Sequence, residues 1–395
     1  MQPNTLLDDS KTHSDWIVGI RRELHRFPEL GYQEVKTSQL IRRTLDELGI
    51  GYRYPIAETG VLAHLGDGVG PCVALRADMD ALPILEQTEV PFRSTVEGRM
   101  HACGHDCHVA MLLGAAKVLK AREAEIHGTI KFLFQPAEEG GAGGLRMCKE
   151  GALEGPKVQR IFGLHVWPTL ASGRIGACSG TMLASAGSLA ITITGKGGHA
   201  AMPHLSADPV VAAAKVICEL QTIVSRELDP LEPGVVSITT LHGGEAFNVI
   251  PPAVKLNGTI RSLTAKGMAF LEERVRAIAT HVAAANRCVA HAEFFDAYPP
   301  TINDGHCWDV AQTVGRELFG ESNVQELLPV MGGEDFSYYT QHIPGCFVAL
   351  GMRNESQNAI YNVHHPMFKA DEDVLPLGAA LHAAFALRSL EELSK

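Results

Sequence analysis

Apolar runs alternate with amphipathic stretches at both ends of the chain. Trp16, Ile20 and Leu24 repeat at helical spacing. Four short runs are almost continuously hydrophobic, as in strands buried on both faces of a sheet: Cys72–Asp78, Thr129–Gln135, Arg160–Val166 and Gly345–Gly351. The alternation predicts an α/β fold with a mostly parallel sheet covered by helices.

The middle of the chain has a different hydrophobic periodicity. Ser188–Thr194 alternates with a period of two residues, and a long helical stretch follows from Asp208 to about Leu228. Two more strands, a helix and a last strand complete the order β-α-β-β-α-β. This order predicts a small ferredoxin-like α+β domain at residues 185–298, inserted into a larger domain of residues 1–184 and 299–395.

Composition and charge exclude some classes of partner. The 395 residues are 46% hydrophobic, and 45 acidic against 34 basic residues give a formal net charge of -11. Because phosphates attract a basic surface, this balance argues against nucleic-acid binding. The longest apolar stretch, Val374–Leu387, is interrupted by Pro376 and His382 and is too short to cross a bilayer, so we expect no membrane association.

The cysteines and the N-terminus predict where the protein functions. Nine cysteines, an odd number, are scattered from Cys72 to Cys346 without a regular framework, which favours reduced thiols over a disulfide scaffold. The stretch MQPNTLLDDSK lacks the basic region and the apolar core of a signal peptide. Both features predict a cytoplasmic protein.

Polar residues lie at the ends of several predicted strands or shortly after them. They are, in chain order, Asp78 and Asp80, Glu138 and Glu139, His165, and His364 and His365. In open α/β sheets, ligands bind beyond the carboxyl ends of the strands. A lone histidine or an acidic turn at such a place is more often structural than functional. Several segments that end at one edge of a sheet make coincidence a poor explanation.

The segment Met100–Leu112, MHACGHDCHVAML, concentrates metal-binding side chains at the entrance to a predicted helix. Gly104 separates Cys103 from His105 and lets the backbone turn so that a thiolate and an imidazole converge. Alone, this segment is as compatible with a helix-entry loop around a buried thiol as with a metal site. Together with the glutamates and histidines above, its residue types are those that bind zinc or a similar divalent ion.

The acidic residues can divide proton transfer, metal binding and ligand orientation among them. Adjacent Glu138 and Glu139 can act as a general base and a metal ligand, respectively, although a solvated acidic turn is the alternative. Asp78 and Asp80 can orient a ligand from outside the metal shell. A capped strand terminus is the alternative for one of the two aspartates.

Short motifs occur in a fixed order along nearly the whole chain. They are RRELHRFPELGYQE, ALRADMDALPI, MHACGHDCH, QPAEEG, GLHVWP, GKGGHAAMPH, AFNVIP, GTIRS, GGEDFS and NVHHPMF. The series resembles the aminoacylase and carboxypeptidase group of metallo-amidohydrolases, and within it the hippurate hydrolases and auxin-conjugate hydrolases. The resemblance implies two divalent ions per subunit, with Zn, Mn, Co or Ni as candidates.

The resemblance also implies a role for each matched residue. The implied metal ligands are Cys103, His105, Glu139, His165 and His364. The implied catalytic residues are Glu138, as general base, with Asp78 and Asp80. Register favours His364 over His365 as the ligand, and the motif GGEDFS gives no role to Glu334 or Asp335.

The inserted domain is implied to act as a lid and a dimerisation surface, with His199, Asn248 and Arg261 as substrate-binding residues. The glycine-rich turn GKGGHAAMP can present His199 as a donor to a developing oxyanion. The guanidinium of Arg261 matches a substrate carboxylate, although a surface salt bridge is the commoner fate of an arginine. We expect a homodimer, with a tetramer as the alternative.

The predicted activity is hydrolysis of the amide bond of N-acyl amino acids, hippurate-like or N-acetylated, by metal-activated water with Glu138 as the base. Within the same group, an N-acetyldiaminopimelate deacetylase or a small-peptide hydrolase is the alternative. A cysteine hydrolase that uses Cys103 with His105 is disfavoured because Cys-Gly-His is too tight for a nucleophile and its base. A non-catalytic metal-binding or redox-sensing protein is disfavoured by the acidic pair in PAEEGG.

Overall fold

The chain forms two compact units in a computed structural model that describes residues 3–66 and 68–395. The larger unit consists of Met1–Met182, Ile302–Leu328 and Asp335–Lys395, and the smaller of Leu183–Thr301 and Pro329–Glu334. The smaller unit thus interrupts the larger one in sequence. That these units are a catalytic domain and a lid stays a prediction.

Helices and strands alternate along the described residues. The strands are β1 Tyr52–Ile56, β2 Gly60–Gly66, β3 Cys72–Asp78, β4 Thr129–Gln135, β5 Arg160–Ala171, β6 Ile175–Ala177, β7 Gly180–Leu183, β8 Ser185–Thr194, β9 Gly198–His199, β10 Gly234–His242, β11 Val249–Ile250, β12 Ala253–Ser262, β13 Val289–Tyr298, β14 Thr301–Asn303, β15 Val324–Glu326 and β16 Gly345–Arg353. The helices are α1 Pro3–Thr12, α2 Ser14–Arg26, α3 Val35–Leu48, α4 His105–Lys120, α5 Glu138–Gly141, α6 Gly143–Lys149, α7 Pro209–Thr222, α8 Ala265–Ala285, α9 Gly305–Phe319, α10 Ser337–Thr340 and α11 Leu375–Leu393.

The larger unit is built on an eight-stranded sheet with the order β1-β2-β4-β3-β5-β16-β6-β15. The four central strands, β4, β3, β5 and β16, run parallel to one another. Every residue of β3 and β4 is buried, as the continuous apolar runs predicted. Helices α4 and α11 pack against each other and against β3. The predicted α/β fold with a mostly parallel central sheet is confirmed.

Strand β5 is longer than predicted. It continues past Val166 to Ala171 because its pairing with β16 extends to the contact between Ala171 and Arg353. His165 therefore lies inside the strand, and the expectation that it ends the strand was wrong.

The smaller unit contains the antiparallel sheet β10-β12-β8-β13, with α7 and α8 packed on it. This is the predicted ferredoxin-like arrangement. Its core includes Leu189, Ile191 and Ile193 of β8, which are fully buried as the period of two residues predicted. Asp208 caps α7 by accepting hydrogen bonds from the Val210 and Val211 backbone N–H groups.

Across the described residues, no helix is both long and apolar enough to span a bilayer.

Candidate metal centre

The polar residues after β3 and β4 lie at one edge of the large sheet. The two strands are parallel neighbours, and Asp78 at the end of β3 is paired with Gln135 at the end of β4. Asp80 follows the first strand, and Glu138 and Glu139 follow the second. Parallel pairing thus brings residues that are distant in sequence to one place.

The entrance to α4 adds a thiol and an imidazole to this edge. Gly104 precedes the helix with φ 91°, a conformation that residues with a Cβ rarely adopt. An added Cβ there would lie 2.4 Å from Val166 Cγ2. Glycine thus permits the turn that separates Cys103 from His105, and both of these side chains are buried.

The ligand atoms of the candidate residues form three overlapping groups, each with all its atoms within 4.8 Å of one another. These groups are Cys103 with His105 and His165, Cys103 with Glu139 and His364, and His105 with Glu138 and Glu139. All five ligands implied by the resemblance, and the implied base, therefore lie together. Within the cluster Cys103 Sγ is 3.4 Å from His165 Nε2, and His364 Nε2 is 2.9 Å from Glu139 Oε1.

The donor set fits a divalent cation. His105 directs Nδ1 toward Asp80 Oδ1 at 3.1 Å, and its buried Nε2 has no hydrogen-bond partner among the described residues. Burial alone would lower the pKa of His105, but the nearby carboxylates of Asp78 and Asp80 raise it to about 10. The cluster therefore carries an excess of negative charge, and thiolate, imidazole and carboxylate are the ligands that zinc and related ions prefer.

The surroundings shift the pKa values of Cys103 and Glu139 in opposite directions. Burial, and then the carboxylates of Glu139, Glu138 and Asp78, raise the pKa of the Cys103 thiol well above its usual range. Burial also tends to raise the pKa of Glu139, but the imidazoles of His364 and His105 lower it overall. Binding of a cation would thus displace the proton of the Cys103 thiol, whereas the Glu139 carboxylate is negatively charged before a cation binds.

Asp80 forms hydrogen bonds with two of the candidate ligands, His105 and Glu139. One carboxylate oxygen faces His105 Nδ1, and the other, Oδ2, accepts a hydrogen bond from the Glu139 backbone N–H at 3.0 Å. Asp80 is almost fully buried, which strengthens both contacts. These are the contacts of a residue that orients ligands, the role considered for Asp80 beside that of a capped strand terminus.

Asp78 and His108 position His165. His108 Nδ1 lies 2.5 Å from Asp78 Oδ1, and His108 Nε2 accepts a hydrogen bond from the Val166 N–H at 3.0 Å. His165 donates its own Nδ1–H to the Val166 carbonyl at 2.7 Å, so its Nε2 is directed at Cys103. His108 had no predicted role. Its signal was its place three residues after His105, on the same face of α4.

A buried arginine beneath the cluster was also missed. Arg76 donates to Asp78 Oδ2 at 2.6 Å, to Gln135 Oε1 at 2.9 Å and to Asp335 Oδ1 at 2.8 Å. Asp335 in turn accepts from the Gly144 N–H at 2.8 Å. Burial raises the pKa of Asp335 to about 6 although Arg76 opposes the rise. The signal for this network was a charged residue inside the apolar run CVALRAD.

The two adjacent C-terminal histidines have different surroundings. His364, with φ 64°, donates its backbone N–H to Ala102 O at 2.7 Å and reaches Glu139. His365 instead stacks on Tyr361 with ring centroids 4.6 Å apart. His364, the residue that register favoured, is thus the one that lies in the cluster.

The three candidate substrate-binding residues belong to the smaller unit. His199 in β9 and Asn248 are exposed on a short ribbon in which the Ala200 N–H donates to Asn248 O at 3.0 Å. Arg261 in β12 is half-buried, and burial lowers its pKa. No carboxylate of the described residues pairs with Arg261, so the salt bridge considered as its alternative role is absent there.

Known proteins resemble the chain over most of its length. Residues 74–388 match the model of peptidase family M20/M25/M40. The IAA-amino acid hydrolase ILR1-like 4 of Arabidopsis thaliana is 48% identical over 96% of this chain and 87% of its own length. The N-acetylcysteine deacetylase of Bacillus subtilis (strain 168) is 41% identical over 95% of this chain and 97% of its own.

A solved structure agrees with these sequence matches. The crystal structure of the YXEP protein of Bacillus subtilis, described as a dinuclear metal-binding peptidase from the M20 family, superimposes with a TM-score of 0.83. The two chains are 38% identical, and the match covers 96% of this chain and 99% of that one.

Proposed function

Since the chain belongs to peptidase family M20/M25/M40, we propose that it is a metal-dependent hydrolase that cleaves the amide bond of N-acyl amino acids. The observation that carries the proposal is the convergence of Cys103, His105, Glu139, His165 and His364 around one edge of the sheet. Glu138 lies beside them, buried and within reach of His105 and Glu139.

The five converging residues would hold two divalent ions, in two groups of ligands that share Cys103. The Bacillus subtilis structure, described as a dinuclear metal-binding peptidase, supports this number. When bound, such ions lower the pKa of water and polarise a carbonyl oxygen. Zn, Mn, Co and Ni all accept this ligand set, so the native metal needs a direct measurement.

The protein's own groups supply the proton transfers. The Glu138 carboxylate takes a proton from the attacking water and then gives it to the nitrogen of the leaving amine. Asp80 and the Asp78–His108 pair keep His105 and His165 oriented while the charge changes. Asp78 and Asp80 therefore serve the reaction through the ligands that they position.

An N-acyl amino acid suits the charge of Arg261 in the smaller unit. The half-buried guanidinium of Arg261 can bind the substrate carboxylate through two parallel hydrogen bonds, and His199 and Asn248 can bind the acyl carbonyl. Two of the relatives are, by their names, an IAA-amino acid hydrolase and an N-acetylcysteine deacetylase. Hippurate-like and N-acetylated amino acids are the leading substrates.

A second candidate, a cysteine hydrolase, is favoured by one contact, Cys103 Sγ at 3.4 Å from His165 Nε2. We rank it lower because burial, and then the surrounding carboxylates, raise the pKa of the thiol and so disfavour the nucleophilic thiolate. Mass spectrometry of the intact protein during turnover separates the two, because only a thiol nucleophile forms an acyl adduct.

A panel of substrates and metals tests the proposal. The protein is stripped with a chelator, reloaded with Zn, Mn, Co or Ni, and assayed on hippurate, N-acetyl amino acids, N-acetyldiaminopimelate and dipeptides. Release of the amino acid only in the presence of metal is the expected result. Turnover of the dipeptides alone would favour a small-peptide hydrolase, and no turnover with any metal would contradict the proposal.

We also propose that the larger unit is the catalytic domain and the smaller one a lid that forms a homodimer, with a tetramer as the alternative. The strand β10 at one edge of the smaller sheet has no neighbour on its outer side among the described residues. Such an edge favours association with another strand or a covering surface. A cytoplasmic location stays a prediction.

A further inference from the structure

The motif PELGYQE, Pro28–Glu34, packs against the loop that carries the proposed base. Glu34 Oε1 accepts a hydrogen bond from the Ala137 backbone N–H at 2.9 Å. The Tyr32 hydroxyl donates to Gly141 O at 2.7 Å. The motif therefore contacts the backbone on both sides of Glu138 and Glu139, although it supplies none of the proposed ligands.

Close packing accompanies these hydrogen bonds. Gly31 lies so near Ala137 that a Cβ added to Gly31 would be 3.0 Å from Ala137 Cβ. A Cβ added to Gly141 would be 2.6 Å from the same atom. Ala137 is thus enclosed by two glycines, and its methyl group leaves the loop little freedom to shift.

Ala137 has an uncommon backbone conformation, with φ 52° and ψ 47° in the left-handed region. Residues with a Cβ avoid this region, and where they adopt it the surrounding contacts hold them there. The Glu34 carboxylate provides such a contact. It is fully buried, and its second oxygen, Oε2, accepts from the Thr59 hydroxyl at 2.6 Å.

Two further carboxylates hold the same loop downstream. Asp80 accepts from the Glu139 N–H, and Asp335 accepts from the Gly144 N–H. Glu34 acts on Ala137, which directly precedes Glu138 in the chain, whereas Asp80 acts on the residue that directly follows it. The backbone angles at Ala137 therefore decide the direction in which the Glu138 side chain leaves the loop.

We propose that Glu34 is a positioning residue for the general base: its contact with Ala137 holds the left-handed turn and thereby directs the Glu138 carboxylate. Tyr32 supports the far end of the same loop. The inference rests on the proposed function, since it assumes that Glu138 moves the proton. Glu34 itself takes no part in the chemistry and acts through the backbone.

The contact needs an acceptor oxygen and not a negative charge. Burial raises the pKa of Glu34 to about 7, and the carbonyl oxygen of a protonated carboxyl still accepts a hydrogen bond from an N–H. A glutamine at this position keeps that oxygen, whereas a methionine of similar size removes it. The pair Glu34→Gln and Glu34→Met therefore isolates the hydrogen bond.

The experiment compares these variants of the full-length, metal-loaded protein by three measurements. They are steady-state kinetics on the best N-acyl amino acid, metal content, and hydrogen exchange of peptides that span residues 136–144. We expect Glu34→Met to lower kcat by roughly ten- to a hundred-fold with KM and metal content nearly unchanged, and to accelerate exchange in this loop. We expect Glu34→Gln to stay near wild type in all three.

Glu29→Gln is the matched control. Glu29 lies in the same motif, but its side chain accepts hydrogen bonds from the Lys36 and Thr37 N–H groups at the start of α3. This variant should keep wild-type kcat and loop exchange. Tyr32→Phe gives a second test if Glu34→Met does not fold, and it should accelerate exchange around Gly141 and lower kcat.

Several outcomes would overturn the inference. A folded Glu34→Met with wild-type kcat and loop exchange would do so, and so would equal losses of kcat in the Gln and Met variants. If Glu34→Met is unfolded, wild-type exchange and kcat in Tyr32→Phe would count against it. If the wild-type protein hydrolyses no amide, the proposed function fails, and faster exchange in Glu34→Met alone would still establish that Glu34 holds the loop.

Discussion

Glu138 and Glu139 are adjacent in the chain but have different surroundings. Glu139 has non-helical backbone angles, φ -74° and ψ 71°, and follows the left-handed turn at Ala137, so successive side chains do not continue along one helix face. Glu139 reaches His364, and Asp80 holds its backbone N–H. This local geometry supports the assignment of Glu139 as ligand and Glu138 as base.

The assignment of the two glutamates predicts separate effects on turnover and on metal binding. We expect Glu138→Gln to lower kcat by roughly a hundred-fold or more, because the amide cannot take a proton, and to leave the metal content nearly unchanged. Kinetics and elemental analysis of the purified variant check this. Glu139→Gln is the matched control and should lose metal. Loss of metal in Glu138→Gln instead would mean that the two roles are reversed.

The buried Glu34 also predicts how stability depends on pH. Burial raises the pKa of Glu34 from 4.5 to about 7, and the neighbouring Asp80 adds to the rise. Between these values the folded protein holds a proton that the unfolded chain releases. The free energy of unfolding therefore falls as the pH rises through this window, by up to about 3 kcal/mol.

Glu34→Gln removes this titration. We expect its free energy of unfolding to differ from wild type little near pH 4.5 and to exceed it near pH 8 by about 1 to 3 kcal/mol. Urea unfolding at the two pH values, with a chelator present so that bound cations do not alter the charges, measures the change. A difference between variant and wild type that is the same at both pH values would contradict the raised pKa.

At the scale of elements, a buried ion-pair network fixes the end of α4 that carries the ligands. Asp106, in the first turn of α4, lies 2.8 Å from Arg21 Nε and 2.7 Å from His25 Nδ1, both in α2. Although burial opposes it, Arg21 and His25 hold the pKa of Asp106 well below its usual range. The helix that begins at His105 is thus anchored to α2 beside the cluster.

The glycine at the entrance to α4 predicts a coupled loss of metal and stability. Gly104→Ala places a Cβ 2.4 Å from Val166 Cγ2 in a left-handed turn, so both neighbours, Cys103 and His105, must shift. We expect lower metal content and a loss of roughly 1 to 3 kcal/mol in the free energy of unfolding beyond that of the control. Gly98→Ala is the control, since Gly98 also has a positive φ, 72°, but nothing within 4 Å of an added Cβ. Full metal content in Gly104→Ala would show that the turn tolerates a side chain.

At the scale of the whole molecule, the candidate ligands and the candidate substrate-binding residues lie in different units. His199 is exposed in the smaller unit, on a glycine-rich turn able to project it. The family resemblance implies that His199 of one subunit serves the metal site of another. This arrangement would complete the site only on dimerisation.

Complementation between two inactive variants tests the arrangement. Glu138→Ala and His199→Ala are mixed under conditions in which subunits exchange. A mixed dimer would contain one site with both an intact base and an intact histidine, so we expect activity to return to roughly a quarter of wild type. Each variant alone is the control. If mass measurement confirms exchange and the mixture stays inactive, His199 serves its own subunit or is structural.

The sequence by itself determined the elements and the residue types of the site. Buried parallel strands must be apolar throughout, so the bounds of β3 and β4 were readable as runs that end in polar residues. The period of two residues in β8 identified the second, antiparallel sheet. The candidate ligands were readable because thiol, imidazole and carboxylate groups recur at strand ends, and the family motifs selected among them.

Only the tertiary structure decided which groups support those residues. Hydrogen bonds form between neighbours in space, and Arg76 is 259 positions from Asp335 while Glu34 is 103 positions from Ala137. No local pattern encodes such pairs, so Arg76, His108 and Glu34 had no predicted role. The length of β5 was likewise misjudged because pairing with β16, and not the local apolar run, sets where the strand ends.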